Sequence, residues 1–250
     1  MLPAPLGHAL RALAPLSERT PAVRLALRVG SLGFVDHLGL RTAALDDAVT
    51  DAIAAGAKQL VVLGAGLDAR AYRLAGLEDV VVFEVDHPAT QRFKRERVAR
   101  LTPRAKEVRF VAIDFERERI EERLAEEGHD PSAPTMWIWE GVVPYLEPAA
   151  TRATLTSIAA ISAPGSRLAL TYVVDHRLLR APLVRPIELA FRVLGEPLRS
   201  LTSQRELHAV LEDTRWRPID DTGPHDWRRR YGWGIDALLL LEERLVLSER

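Results

Sequence analysis

From about residue 42 onward, short apolar runs alternate with longer segments whose apolar positions recur at helical spacing. Gln59–Leu63, Val80–Asp86, Val108–Asp114, Thr135–Trp139, Arg167–Val174, Trp216–Asp220 and a last run near Arg244–Ser248 are predicted strands. Thr42–Ala55, Ala89–Leu101, Glu116–Glu127 and Ala149–Ile161 are predicted helices, the second of them opened by Asp86-His87-Pro88, with proline in the first turn. This alternation specifies an α/β fold with a largely parallel sheet covered by helices, and seven strands fit one domain over residues 1–250. Two stretches stand outside the alternation. Residues 1–40 read as an N-terminal helical cover, locally basic through Arg11, Arg19, Arg24 and Arg28. Residues 175–200 form a lid-like insertion between strands five and six, rich in proline and arginine, which a solvated helical excursion would explain equally well.

Composition narrows the classes. With 250 residues, 47% hydrophobic and 28% charged, the chain buries a core. Lys plus Arg is 34 against 35 for Asp plus Glu, so the basic footprint of a dedicated nucleic-acid binder is missing and no nucleic-acid partner is expected. The absence of cysteine removes disulfides, thiolate nucleophiles and cysteine-based metal sites. His8, Arg11 and prolines interrupt the apolar N-terminus, which is not read as a signal peptide. No run approaches the roughly 18 apolar residues of a membrane span. A cytoplasmic protein without a membrane partner is expected, its oligomeric state open.

The strongest local signal is Val61-Val62-Leu63-Gly64-Ala65-Gly66-Leu67-Asp68-Ala69-Arg70, an apolar strand running into a glycine-rich turn and then a helix. Glycine suits a sharp turn against which a ligand lies, and a helix N-terminus offers unpaired N–H groups. The same residues satisfy Gly-x-Gly-x-x-Ala, the dinucleotide pattern, and a purely structural turn would explain them too. The second strand ends Phe83-Glu84-Val85-Asp86, placing an acid about 20 residues past the glycines, where a ribose diol would need an acceptor. NAD and S-adenosylmethionine both carry such a ribose. The third strand ends at Asp114-Phe115, an acid and an aromatic that could receive an adenine, although Asp114 could instead cap the next helix. The fourth ends at Glu140, at the tip of a central strand beside the glycine loop, where ligands bind in such sheets.

Four successive strand ends bearing Gly-x-Gly, acid, acid and acid are far more specific than any one of them. Leu63 to Arg70 with Tyr72-Arg73-Leu74, then Glu84-Val85-Asp86-His87-Pro88, Asp114-Phe115 and Glu140-Gly141-Val142-Val143-Pro144-Tyr145-Leu146, resemble the leucine carboxyl methyltransferase family. The resemblance runs from about residue 37 to 250 and takes in Gly195-Glu196-Pro197 and Glu243 to Leu247. It implies a Rossmann-like class I methyltransferase fold, with seven strands of which the last is antiparallel, and S-adenosyl-L-methionine as cofactor. On this resemblance Arg41 would bind the cofactor's carboxylate, Gly64 with Ala65 and Gly66 would approach its methionine part, and Asp86 would hold the ribose. Asp114 and Phe115 would take the adenine, and Glu140 would sit beside the amino-acid end. Ala69 stands where the family usually has threonine, and the first 36 residues depart from the family's N-terminal pattern.

Competing chemistries lack their residues. A short-chain dehydrogenase needs tyrosine with lysine four residues on, but no lysine follows Lys106, and Ala54 and Thr90 precede Lys58 and Lys94 at that spacing. No His-Glu-x-x-His zinc site and no Gly-x-Ser-x-Gly elbow occurs, so no metal is expected. A catalytically silent S-adenosylmethionine-binding protein would keep every motif. Methyl transfer requires no protein nucleophile, and no catalytic residue is nominated. A substrate carboxylic acid, with a pKa of about 4, is ionised at neutral pH, whereas a phenol, at about 10, wants a base. The lack of an obvious catalytic histidine therefore favours a small-molecule carboxylate over a hydroxyl as acceptor. Tyr145, five residues past Glu140, and Tyr172, near the end of the fifth strand, are the expected substrate-binding residues, with arginines of the insertion.

Overall fold

The structure, a computed structural model, describes residues 31, 33–114, 117–174, 199–234 and 242–250. Its sheet has seven strands: β1 (Gln59–Leu63), β2 (Val81–Asp86), β3 (Glu107–Ala112), β4 (Thr135–Trp139), β5 (Arg167–Val173), β6 (Arg217–Thr222) and β7 (Glu243–Glu249). They lie in the order β3-β2-β1-β4-β5-β7-β6. The first five pair in parallel, and β7 runs antiparallel between β5 and β6. All seven predicted strands are present, β1 and β4 with the predicted bounds and the others with ends shifted by one or two residues.

Strands β1 and β4 are buried along their whole length, which is why each reads as an unbroken apolar run rather than an alternating one. Strand parity divides the core between the two faces of the sheet. On one, Val61, Leu63, Phe83, Val85, Trp137 and Leu168 pack with α4 (Ile120–Glu126), α5 (Pro148–Ala160) and α6 (Gln204–Asp213). On the other, Leu60, Val62, Val82, Met136 and Ile138 meet α1 (Phe34–Ala54) and α7 (Pro224–Tyr231). Helix α3 (Pro88–Val98) lies on this second face too, where its Lys94 meets Glu84 of β2.

Helix α1 begins eight residues earlier than the pattern from Thr42 predicts, because Gly33, at φ 82°, turns the chain into it. Most of the residues read as an N-terminal cover, and residues 175–198 of the insertion, lie outside the described residues. Helices α6 and α7 are additions to the predicted set. The first starts at a capping box in which Ser203 and Glu206 satisfy each other's backbone N–H groups. Strand β6, read as starting at Trp216, starts one residue later: the fully buried Trp216 instead anchors its indole N–H on the Leu155 carbonyl, at 3.2 Å. Among the described residues no helix is long and apolar enough to cross a membrane.

Candidate functional site

The carboxyl ends of β1 and β4 open into a cleft of about 590 Å³. Its walls are the loop from Gly64 to Ala69, Arg41 and Thr42 of α1, Arg70 and Arg73 of the one-turn helix α2 (Arg70–Arg73), and Glu140 with Gly141 after β4. The helix expected after the glycines is thus only one turn long. Two bonds hold the loop against β2. The Ala65 N–H donates to the Val85 carbonyl at 3.0 Å, and the Gly66 N–H to Asp86 Oδ2 at 2.5 Å. Gly64 is required twice over: its φ is 66°, and a Cβ there would sit 2.6 Å from Val142 Cγ2. Across the cleft Gly141, also at φ 66°, donates its N–H to Thr171 Oγ1 at 2.8 Å and turns the chain so that Glu140 faces the glycine loop.

The charged side chains form one continuous network. Glu140 bridges two arginines, its Oε1 lying 2.7 Å from Arg41 Nη2 and its Oε2 2.9 Å from Arg70 Nη1. Arg70 also pairs with Asp68 and, at 2.8 Å, with Asp46, which binds Arg73 as well. On the far side Arg41 Nη1 donates to both oxygens of Glu243, at 2.8 and 2.7 Å. Burial pulls the guanidinium pKa of both Arg41 and Arg70 down, but the surrounding carboxylates outweigh it and hold both above the ordinary arginine range. Against Arg41, Arg70 and Arg73 stand Glu140, Glu243, Asp68, Asp46 and, through the Gly66 contact, Asp86. The surrounding network therefore carries more carboxylates than cations, while the cleft's own lining sets three arginines against Glu140 and Asp68.

The two acids of β2 do different work although they share a face. Glu84 is buried, 2.6 Å from the buried Lys94 ammonium; burial pushes its carboxyl up to about 7 against the opposing pull of Lys94. Asp86 is half-buried at the cleft's edge. It accepts N–H bonds from Gly66 and His87, two of the roughly four acceptor sites of a carboxylate, which leaves two for an incoming diol.

Arg41, Gly64, Ala65, Gly66 and Glu140 thus meet in one cleft, with Asp86 bonded to its loop. The Ile113 N–H donates to the Asp86 carbonyl at 3.0 Å, so Asp114 lies at the adjoining strand end. Asp114 does not cap α4, which is preceded by Arg119; Phe115 lies outside the described residues. Tyr145 closes a 3₁₀ turn (Val143–Tyr145) beyond Gly141 and is half-buried. Tyr172 corrects the expectation for an acceptor contact. Its side chain is fully buried in the core under α6, and its hydroxyl donates to Asp221 Oδ2 at 2.9 Å, so it does not reach the cleft. Sequence reasoning passed over Asp46, Asp68 and Arg70 as charged groups of the site, although Asp68 and Arg70 stand within the glycine motif, and it gave no role to Glu243.

Residues 14–159 match the sequence profile of the leucine carboxyl methyltransferase family. The chain belongs to this family. A relative from Mycolicibacterium vanbaalenii, named as an S-adenosyl-L-methionine-dependent methyltransferase, is 44% identical over 217 residues, covering 84% of this chain and 66% of its own. One from Mycolicibacterium gilvum, named likewise, is 46% identical over 151 residues, 60% of this chain; the match spans about half (48%) of that relative's length. Among solved structures, 1,6-didemethyltoxoflavin-N1-methyltransferase from Burkholderia thailandensis, with bound S-adenosylhomocysteine, superposes with a TM-score of 0.53. At 17% identity over 100% of this chain and 92% of that one, the likeness is one of fold, the Rossmann-like methyltransferase sheet.

Proposed function

We propose that this protein transfers a methyl group from S-adenosyl-L-methionine to an oxygen of a small molecule, a carboxylate in preference to a hydroxyl. The observation that carries the reading is the meeting of a side-chain-free glycine loop, the Asp86 carboxylate and the Glu140–Arg41 pair around one cleft. The cleft's volume is in the range of small-molecule sites. Gly64 and Gly66 put no side chain between the loop backbone and the cleft, and the Glu140 and Asp68 carboxylates suit a ligand bearing an ammonium and a sulfonium. S-adenosylmethionine supplies an electrophilic methyl group whose leaving thioether is neutral.

The protein's own part is then orientation and the exclusion of water. Asp86 offers its two spare acceptor sites to a ribose diol. Glu140 presents a carboxylate to an ammonium group while Arg41 and Arg70 hold it in place. Among the described residues lining the cleft there is no histidine and no lysine, and its acids Glu140 and Asp68 are tied to arginine. That set suits an acceptor that arrives already ionised, as a carboxylic acid does near neutral pH. Tyr145 is the described residue we assign to the acceptor.

Incubating the protein with labelled S-adenosylmethionine and panels of carboxylic acids, phenols and amines tests this. A base-labile methyl ester is the expected product. Methylation confined to amines overturns the acceptor class, and binding of S-adenosylhomocysteine without turnover on any panel points to a silent binding protein.

The contrast within β2 gives a sharper expectation. Asp86→Ala should weaken S-adenosylhomocysteine binding by about 1–3 kcal/mol with the fold intact, since a ribose diol loses a charged acceptor. Glu84→Ala should act on stability instead, by about 3–5 kcal/mol, because it leaves the Lys94 ammonium buried without its partner. Calorimetric titration and urea unfolding of both variants check the pair; a silent Asp86→Ala would remove that residue from the site.

A further inference from the structure

We propose that Glu243 and His37 are positioning residues of the cofactor site, a pair that fixes the guanidinium of Arg41 for the cofactor's carboxylate. The inference rests on the S-adenosylmethionine reading given above. Neither residue is among those lining the cleft; both stand behind Arg41. His37 lies one turn before Arg41 on α1, so the two share a helix face. Glu243 is the first residue of β7, opposite Val173 near the end of β5. Because β7 is antiparallel, its first residue lies at the carboxyl end of the parallel strands, the end that holds the cleft.

His37 Nε2 lies 2.8 Å from Glu243 Oε2, and Arg41 Nη1 spans both Glu243 oxygens. The three side chains are 2%, 13% and 17% exposed, so solvent screens them little. Burial alone would raise the Glu243 carboxyl, but the His37 bond and the Arg41 charge overcome it and hold it below the ordinary range. His37 Nδ1 is buried without a hydrogen-bond partner among the described residues, and the ring packs 5.7 Å from the Trp227 ring. A proton on Nδ1 would leave a buried N–H unsatisfied, so the tautomer that fits has hydrogen on Nε2, donating to Glu243. Glu243 then presents its charge to Arg41 from a fixed position.

The consequence lies in which edge of Arg41 stays available. Its Nη1 is committed to Glu243 and its Nε to Glu140 at 3.0 Å, so the guanidinium plane is held from two sides. The Nη2 group already lies 2.7 Å from Glu140 Oε1, and its second N–H is the donor that can meet an incoming carboxylate. Without Glu243 the guanidinium keeps its ion pair with Glu140 but is held from that side only and is free to turn about it, so its Nη2 loses a fixed direction.

The test compares two ligands that share the thioadenosine but differ in that end. S-adenosylhomocysteine carries the carboxylate and ammonium; 5′-methylthioadenosine carries neither. In calorimetric titrations, Glu243→Gln and His37→Phe should each weaken S-adenosylhomocysteine by about tenfold, the size of a lost charge-assisted hydrogen bond. Methylthioadenosine affinity should stay within about twofold of wild type on the same argument. Should Glu243→Gln fail to fold, Glu243→Asp, which keeps the charge but shortens its reach, is read in the same way. Equal losses for both ligands would mark the pair as merely structural, and no loss for either would leave Arg41 without need of it; each overturns the inference alone. Wild-type protein that binds neither ligand overturns the cofactor reading and this inference together.

Discussion

Gly64→Val is expected to abolish S-adenosylhomocysteine binding and methyl transfer together. Two costs add at this position. A β-branched residue at φ 66° is strained by about 1–2 kcal/mol or more, and the new Cβ arrives 2.6 Å from Val142 Cγ2, far inside van der Waals contact. Val142 follows Gly141 directly, so any yielding there moves Glu140 as well as the loop. Binding should fall by at least about 100-fold, or about 2.7 kcal/mol, in a titration. Gly76→Ala is the control: its φ of 86° imposes the backbone cost, but no atom lies within 4 Å of the new Cβ. It should lower the melting temperature and leave ligand affinity unchanged. Equal binding losses in the two variants would mean that general destabilisation, not the clash with Val142, explains the effect of Gly64→Val.

The contrast between those glycines shows what the sequence made legible. Gly64 was readable because an apolar strand ran directly into it, and β1 and β4 are buried on both faces, which leaves a run of apolar residues that polar solvent-facing positions do not interrupt. Glu140 was readable for the same reason, as the first charge after β4, whereas Asp86 and Asp114 follow strands already carrying Glu84 and Arg109 and were readable from their place at the strand ends. Tyr172 was misplaced because β5 is buried almost throughout, so its pattern does not reveal which parity faces the cleft. Thr171 reaches Gly141 at the cleft's rim, and the next residue must point the other way, into the core toward Asp221. Helix α7 left little trace, since only Trp227 of its residues is buried and arginines occupy its last turn. Helix α6 did leave one in Ser203-x-x-Glu206, a capping signal that closely follows the insertion. The His37–Glu243–Arg41 cluster was out of reach, because its members meet across more than 200 residues through the register of an antiparallel strand.

Arg41→Ala should remove cofactor binding and, unlike Asp86→Ala, also lower the stability of the fold. In the structure its guanidinium is the cation between Glu140 and Glu243. Deleting one partner of a buried ion pair costs about 3–5 kcal/mol when the other is stranded. Here the cost should fall near or below the lower end of that range, because Glu243 keeps His37 and Glu140 keeps Arg70. Urea unfolding at neutral pH should therefore show a loss of about 2–3 kcal/mol. The loss has a sign in pH. Glu243 is held below its ordinary value in the folded protein, so its contribution is present above the unfolded carboxyl pKa of 4.5 and disappears as pH falls through the lowered folded value. Wild type and Arg41→Ala should accordingly differ fully above that pH and converge in acid. Arg41→Lys separates the two roles: it restores a charge and part of the stability, but a single ammonium cannot span Glu243 and Glu140 as the planar fork does, so affinity should stay low. Full recovery of S-adenosylhomocysteine affinity by Arg41→Lys would show that charge alone, not the orientation of the fork, is what the site takes from this residue.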